Sequence, residues 1–276
     1  MKINRISLIV FFLMAHSLYI GAQIQYPIVG RYKDRSAQGM AIYGHYAYLF
    51  NDGGLCRKLN LKTGYVDGEF MIESAAKNTH VNNACFSRQY IAGNTVPVLY
   101  ITEFYGTRRC FVEAVNENNS KLIQTIEYTD SLEHHPFVRG WIVDNDKNVL
   151  YAVIRDKNRS QNNFIKKFRL PSLGEGSYIR LTEKDVLDEF SVSFVNGLQG
   201  GKIVGQKMYL VTGFSELNGL DDYNSREIKV IDLKRKVLIN RISLRTITMN
   251  EPEDIDFYKG KCLLFAGGTG GIYQVF

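Results

Sequence analysis

The chain has 276 residues, long for one average domain and short for two, a size that suits one large all-β barrel or propeller. Its composition, 45% hydrophobic and 22% charged, is globular and excludes a disordered or fibrous chain. Gly (24) far outnumbers Pro (5), and 17 Tyr and 16 Phe point to short strands and tight turns rather than a helical bundle.

The first segment reads as a targeting signal. Lys2 and Arg5 precede an apolar run from Ile6 to Ile20, and Gly21-Ala22 closes it with small residues. That is the three-part pattern of a secretory signal peptide. A run of about fifteen residues falls short of the roughly 20 that a membrane helix needs. The expected organisation is a signal peptide over 1–22 and one domain over 23–276. The domain is expected to be periplasmic or secreted, monomeric, and without a membrane span after cleavage. Loss of Lys2 and Arg5 lowers the formal charge from +6 to +4. Other basic runs, such as Lys166-Lys167-Phe168-Arg169 and Lys234-Arg235-Lys236, are short and scattered, so no nucleic-acid partner is expected. Cys56, Cys85, Cys110 and Cys262 leave three disulfide pairings open, but each lies in or beside an apolar run, which favours buried free thiols.

Along the rest of the chain one unit recurs: a polar cluster, a short strand, a turn, then a stronger strand rich in Tyr and Leu. The first copy is Ala37 to Tyr43, a turn at Gly44-His45, then Tyr46 to Phe50. The second is His80 to Phe86 followed by Val98 to Ile101; the third is Arg139 to Val143 followed by Val149 to Ile154. The fourth runs from Leu198 to Val204 and then Met208 to Val211. The fifth runs from Glu251 to Phe257, turns at Lys259-Gly260, and continues as Cys262 to Phe265. Further runs, such as Arg57 to Leu61 and Ile228 to Leu233, supply a third and usually a fourth strand. Four short strands per repeat is the unit of a β-propeller blade. The expected fold is therefore all-β, a single propeller of five blades with four antiparallel strands each. The fifth repeat ends at Phe276 without an outer strand, and the strand-like run Gln25 to Tyr32 is expected to complete it and close the ring.

The innermost strands of a propeller surround its axis, so their first residues converge on one mouth of the channel. Here these are Gln38, His80, Asn82, Asn83, Arg139, Gln199, Glu251 and Glu253. Amides and carboxylates in this position either tie the blades together or orient a ligand. A glycan, a peptide or an envelope protein is the kind of partner such a ring would take. No cofactor is expected beyond a weakly held Ca2+ on the oxygens of Gln38, Asn83, Gln199 and Glu253. No nucleophile elbow or phosphate loop is present, and Gly268-Thr269-Gly270-Gly271 lacks the Lys that a phosphate loop requires. The residues thus lean towards a binding module rather than an enzyme. The alternative is a hydrolase or lyase, glycosidase-like or lactonase-like, that uses Glu251, Glu253 and His80. A glycosidase would pair one of these glutamates with Asp144 or Asp185.

Gln38-Gly39, His80-Val81-Asn82-Asn83-Ala84, Gln199-Gly200-Gly201 and Glu251-Pro252-Glu253 together resemble an exported β-propeller group of the Bacteroidetes type. The Glu-Pro-Glu run is also similar to one in lactonase-like and phytase-like propellers. The resemblance implies the fold and export but no activity. Those enzymes hold metal with several axial carboxylates, where this chain offers mainly amides.

Overall fold

Strands with apolar side chains on both faces need cover on both sides, and this chain obtains it by standing five sheets side by side around an axis. The computed structural model describes residues 37–75, 80–103, 108–129, 137–155, 162–194, 196–215, 226–248, 250–268 and 270–276. The leader, the Gln25–Tyr32 run and the expected ring closure lie outside the described residues.

The first blade is β1 (Ala37–Tyr43), β2 (Tyr46–Asn51), β3 (Leu55–Asn60) and β4 (Val66–Met71). The second is β5 (Val81–Phe86), β6 (Leu99–Glu103), β7 (Arg109–Val115) and β8 (Ser120–Tyr128). The third contains β9 (Phe137–Asp144), β10 (Val149–Arg155) and β11 (Asn162–Arg169), and its outer strand is β13 (Val186–Ser193). The fourth is β14 (Asn196–Val204), β15 (Lys207–Ser215), β16 (Glu227–Asp232) and β17 (Val237–Ser243). The fifth holds β18 (Pro252–Tyr258), β19 (Lys261–Ala266) and β20 (Ile272–Gln274). The molecule is an all-β propeller of five blades, as the repeats imply.

Two sheets depart from four strands. Among the described residues the fifth has three. The second gains a fifth strand, β12 (Tyr178–Leu181), which leaves the third blade after β11 and pairs in parallel with β8. A 3-10 turn at Glu183–Asp185, capped by Thr182, then returns the chain to its own blade. Lys166, almost wholly buried, holds this excursion by pairing with Glu183 at 2.7 Å and Glu189 at 2.6 Å.

The β10 strand shows why the second strand of a repeat reads as a continuous apolar run. Leu150, Ala152 and Ile154 pack into the core shared with the second blade, whereas Val149, Tyr151 and Val153 pack into the core shared with the fourth. Alternate side chains point to opposite faces of a strand, and here both faces are covered. Every neighbouring pair of blades shares such a core, including the first and fifth, where Met40 and Leu49 meet Leu263 and Phe265. All four cysteines are free and buried within these interfaces. Burial pushes the Cys262 thiol up to about 12, so the thiols act as small hydrophobes.

At the axis the five inner strands β1, β5, β9, β14 and β18 touch, and polar groups replace apolar ones. Asp254 is wholly buried there. Its carboxylate accepts the backbone N–H of Met40 at 2.9 Å, of Ala84 at 3.2 Å and of Ile255 at 2.8 Å. The Asn83 amide donates to the same carboxylate at 3.2 Å and to the Gly201 carbonyl at 3.0 Å. One carboxylate thus joins the first, second and fifth blades, and Asn83 brings in the fourth. Gly200 is required beside it, because a Cβ there would overlap the Asp254 carboxyl. Replacing Asp254 with Ala leaves those donors without an acceptor where water does not enter. The expected cost is about 3–5 kcal/mol, a fall in Tm of about 10 °C. A melting curve within about 2 °C of the parent would show that the axis is held by the apolar interfaces alone.

Candidate functional site

Each inner strand carries an irregularity in its pairing with the second strand that falls on the polar residues; β14 has a second one, where Gly213 of β15 is the extra residue. Between the pairs Ala37–Asn51 and Met40–Leu49, Gln38 and Gly39 oppose a single residue. Asn82 is the extra residue between Val81–Glu103 and Asn83–Thr102, and Arg139 between Val138–Ile154 and Gly140–Val153. Gln199 is skipped between Leu198–Thr212 and Gly200–Val211, and Glu253 between Pro252–Ala266 and Asp254–Phe265. A bulge inserts a residue that has no cross-strand partner and re-aims its side chain. It also breaks the strict alternation of faces, which is how Asn82 with Asn83, and Glu253 with Asp254, are both buried at the axis.

These residues form two layers. The lower layer is bracing. Asn82 donates to the Arg139 carbonyl at 2.7 Å and to the Leu198 carbonyl at 3.3 Å, which crosses the axis from the second blade to the third and fourth. With Asn83 and Asp254 it floors the channel, and solvent does not reach Asn83 or Asp254. Above this floor lie the half-buried Gln199 and Glu251, the buried Gln38, and Glu253, which is 4% exposed. Gln199 donates to Glu251 at 2.5 Å, and Glu251 also accepts Gly267 N–H through its carbonyl at 2.8 Å. Gly267 leaves room for Glu253, since a Cβ there would collide with the carboxyl Oε1.

Burial pushes the Glu253 carboxyl well above the usual carboxylate range, and the nearby charges of Glu251, Asp52 and Asp254 add to the effect. Arg226, itself buried and donating to the Asn250 carbonyl at 2.8 Å, opposes it. His80 Nδ1 meets the Asp52 carboxylate at 2.5 Å. Burial lowers the His80 pKa, with Asp52 pulling the other way. The mouth therefore combines a carboxyl with a raised pKa, an amide–carboxylate pair, and a histidine held by an aspartate.

The expected cation ligands lie at two heights. Asn83 is in the floor, its Nδ2 donating to Gly201 and Asp254, whereas Gln38, Gln199 and Glu253 lie above it. Among the described residues no three His, Cys, Asp or Glu side chains converge as metal ligands. The glycosidase pairing needs correction. Asp144 ends β9, five residues or about 17 Å along the inner strands from the level of Glu253, and Asp185 lies in the 3-10 turn of the outer excursion. His134 and His135 fall outside the described residues. Sequence reasoning missed Asp52, Asp254, Asp256 and Lys202. Asp254 and Asp256 were visible as an i, i+2 pair on one strand, but nothing local ties Asp52 to the mouth.

A carboxyl with a raised pKa keeps its proton in the folded state where the unfolded chain, near pH 4.3, has lost it. Folding is then opposed increasingly as pH rises, until the folded pKa is passed. Glu253→Gln removes that penalty. Thermal melting should show the variant gaining on the parent as pH rises from about 4 to about 7. A difference that does not change with pH would mean that Glu253 is ionised in the folded protein.

No family model matches the chain, and no curated protein sequence matches it. Among solved structures, glutaminyl cyclase from Myxococcus xanthus superposes with a TM-score of 0.54 at 12% identity, covering 91% of this chain and 92% of that one. Raptor from Chaetomium thermophilum superposes with a TM-score of 0.46 at 10% identity, covering 88% of this chain and 20% of that one. At these identities the glutaminyl cyclase likeness is one of fold: the chain is a β-propeller along nearly its whole described length.

Proposed function

We propose that this protein is an exported propeller that binds a ligand in the cup above the Asn82–Asn83–Asp254 floor. The observation that carries the reading is the set of bulges, one per blade, placed where the ladder gives up regular pairing. Bulged side chains that only braced the ring would all be spent on backbone partners, as Asn82 is. Gln199 instead meets a half-buried carboxylate, and Glu253 sits beside two further carboxylates at the rim. Asp52, Glu251 and Glu253 make part of the rim acidic, while Arg226 brings positive charge close to Glu253. A partner bearing both charges, such as a peptide or a segment of an envelope protein, suits this rim better than a neutral glycan. The basic, apolar and small-residue succession of the first 22 residues supports export.

The raised carboxyl of Glu253 favours a second reading, proton transfer on a peptide substrate. A carboxyl whose pKa is raised above the usual range can hold a proton for transfer. The similar propeller from Myxococcus xanthus is a glutaminyl cyclase, which makes glutaminyl peptides the first to try.

Peptide and glycan arrays followed by calorimetry test the binding reading. Peptides should bind, and Gln199→Ala should abolish binding while changing stability by less than about 0.5 kcal/mol. A loss of about 1–3 kcal/mol would instead show a buried brace, and arrays without signal would remove the proposal. For the second reading, mass spectrometry of the same peptides should show turnover that Glu253→Gln lowers by about 100-fold or more.

A further inference from the structure

The inner strands all run the same way, so the hairpin turns that follow them gather at the end of the channel opposite the mouth. There the turns of the first and fifth blades face each other across a groove of about 350 Å³. Three bases line it, His45, Lys62 and Lys259, together with Ile42, Tyr43, Phe257 and Tyr258; the Tyr43 ring is turned to Phe86 of the second blade and the Phe257 ring to Tyr209 of the fourth. No carboxylate is among its lining side chains.

Ordered backbone places the three bases. Leu61 N–H donates to the His45 carbonyl at 2.8 Å, which fastens the β3–β4 turn beside the β1–β2 turn. Within that turn the Asn60 side chain accepts Lys62 N–H at 3.0 Å and fixes the root of the lysine. The His45 ring lies 4.3 Å from the Tyr46 ring, and Lys259 Nζ lies 5.3 Å from the centre of the Tyr258 ring. Asp67, five residues beyond Lys62, accepts the Asn60 amide at 3.0 Å and is hydrogen-bonded by Tyr46. Asp256, beside Phe257, does not face the groove. It is buried and turned to the axis, where it accepts Ile42 N–H at 2.8 Å and Phe257 N–H at 2.7 Å and pairs with Lys202 at 2.9 Å.

We propose that this groove is a second binding site, independent of the mouth, for a monosaccharide that carries a phosphate or sulfate ester. The charge selects an anion, since clustered bases hold anionic oxygens through charge-assisted hydrogen bonds. The size selects more than a bare ion. Small-molecule sites begin at about 300 Å³, room for one sugar ring and its ester. Ile42 and Tyr258, whose side chains lie in the interface of the first and fifth blades, supply an apolar wall for such a sugar.

Calorimetry of the purified full chain with glucose 6-phosphate, glucose 6-sulfate, glucose, inorganic phosphate and inorganic sulfate tests this. The two sugar esters should bind with a Kd of about 1 mM or tighter, and more weakly as sodium chloride is raised. Glucose should not bind, and the inorganic ions should bind less tightly than the esters. The phosphate and sulfate arms decide between the two ester chemistries. Lys62 and Lys259 are exposed, so the Lys62→Ala/Lys259→Ala double variant should keep the parent melting curve while binding about tenfold more weakly or worse. Glu253→Gln should bind the ester as the parent does. The proposal is overturned by absence of saturable ester binding, by inorganic ions binding as tightly as the esters, or by a double variant within about twofold of the parent. Loss of ester binding in Glu253→Gln would also overturn it, by placing the ligand at the mouth.

Discussion

The fold turns on one carboxylate. Asp254 receives hydrogen bonds from two neighbouring blades and, through Asn83, is linked to a third across the axis. Burial pushes this carboxyl well above its usual range, and the backbone N–H groups of Met40, Ala84 and Ile255 counter that push. A charge in such a place is costly unless its acceptor capacity is filled. Both oxygens are filled here, by donors that only a closed ring can bring together. The apolar interfaces supply most of the stabilisation but are non-directional; the carboxylate imposes a register, because the inner strands must meet it at fixed heights. Two residues further along β18, Asp256 repeats the device by accepting Ile42 N–H and pairing with Lys202 of the fourth blade.

The bulges connect this architecture to a site. A regular inner strand would direct alternate side chains towards the axis and leave the others in the blade interfaces. One extra residue per strand lets two successive side chains serve the axis, one in the floor and one at the rim. In the second blade both are spent on bracing, as Asn82 and Asn83. In the fifth, Asp254 braces while Glu253 faces the rim beside Glu251 and Asp52. The same sequence device therefore serves stability at one blade and chemistry at another, and the hydrogen-bond partners decide which.

The β12 excursion adds a constraint of another kind. It carries part of the third blade over to the outer edge of the second, where Gln124 binds the Ser172 and Gly176 carbonyls at 3.1 and 2.9 Å. A parallel strand at this position covers an edge that would otherwise be open to pairing with another chain. The remaining outer strands β4, β13 and β17 are largely solvent-facing and interleave charged with apolar residues, another means of discouraging edge-to-edge association.

Composition, the five recurring units of a polar cluster followed by strands, and their turn residues determined the all-β class and the number of blades. These are local signals: period-2 burial, Gly-containing turns, and runs long enough for a strand but not a helix. The convergence of Gln38, Asn82, Arg139, Gln199 and Glu253 on one axis was legible too, because it follows from the repeat itself. Tertiary structure alone decided which of them brace and which face the rim, since that depends on acceptors more than 50 residues away, as with Asn82 and the Arg139 carbonyl. It alone brought Asp52 to His80 and showed Asp254, rather than Glu253, to be the hub. No local pattern announces a bulge, and one inserted residue exchanges which neighbour faces inward. The groove between the first and fifth blades was equally hidden: His45 and Lys259 stand more than 200 residues apart, and only closing the ring makes them neighbours.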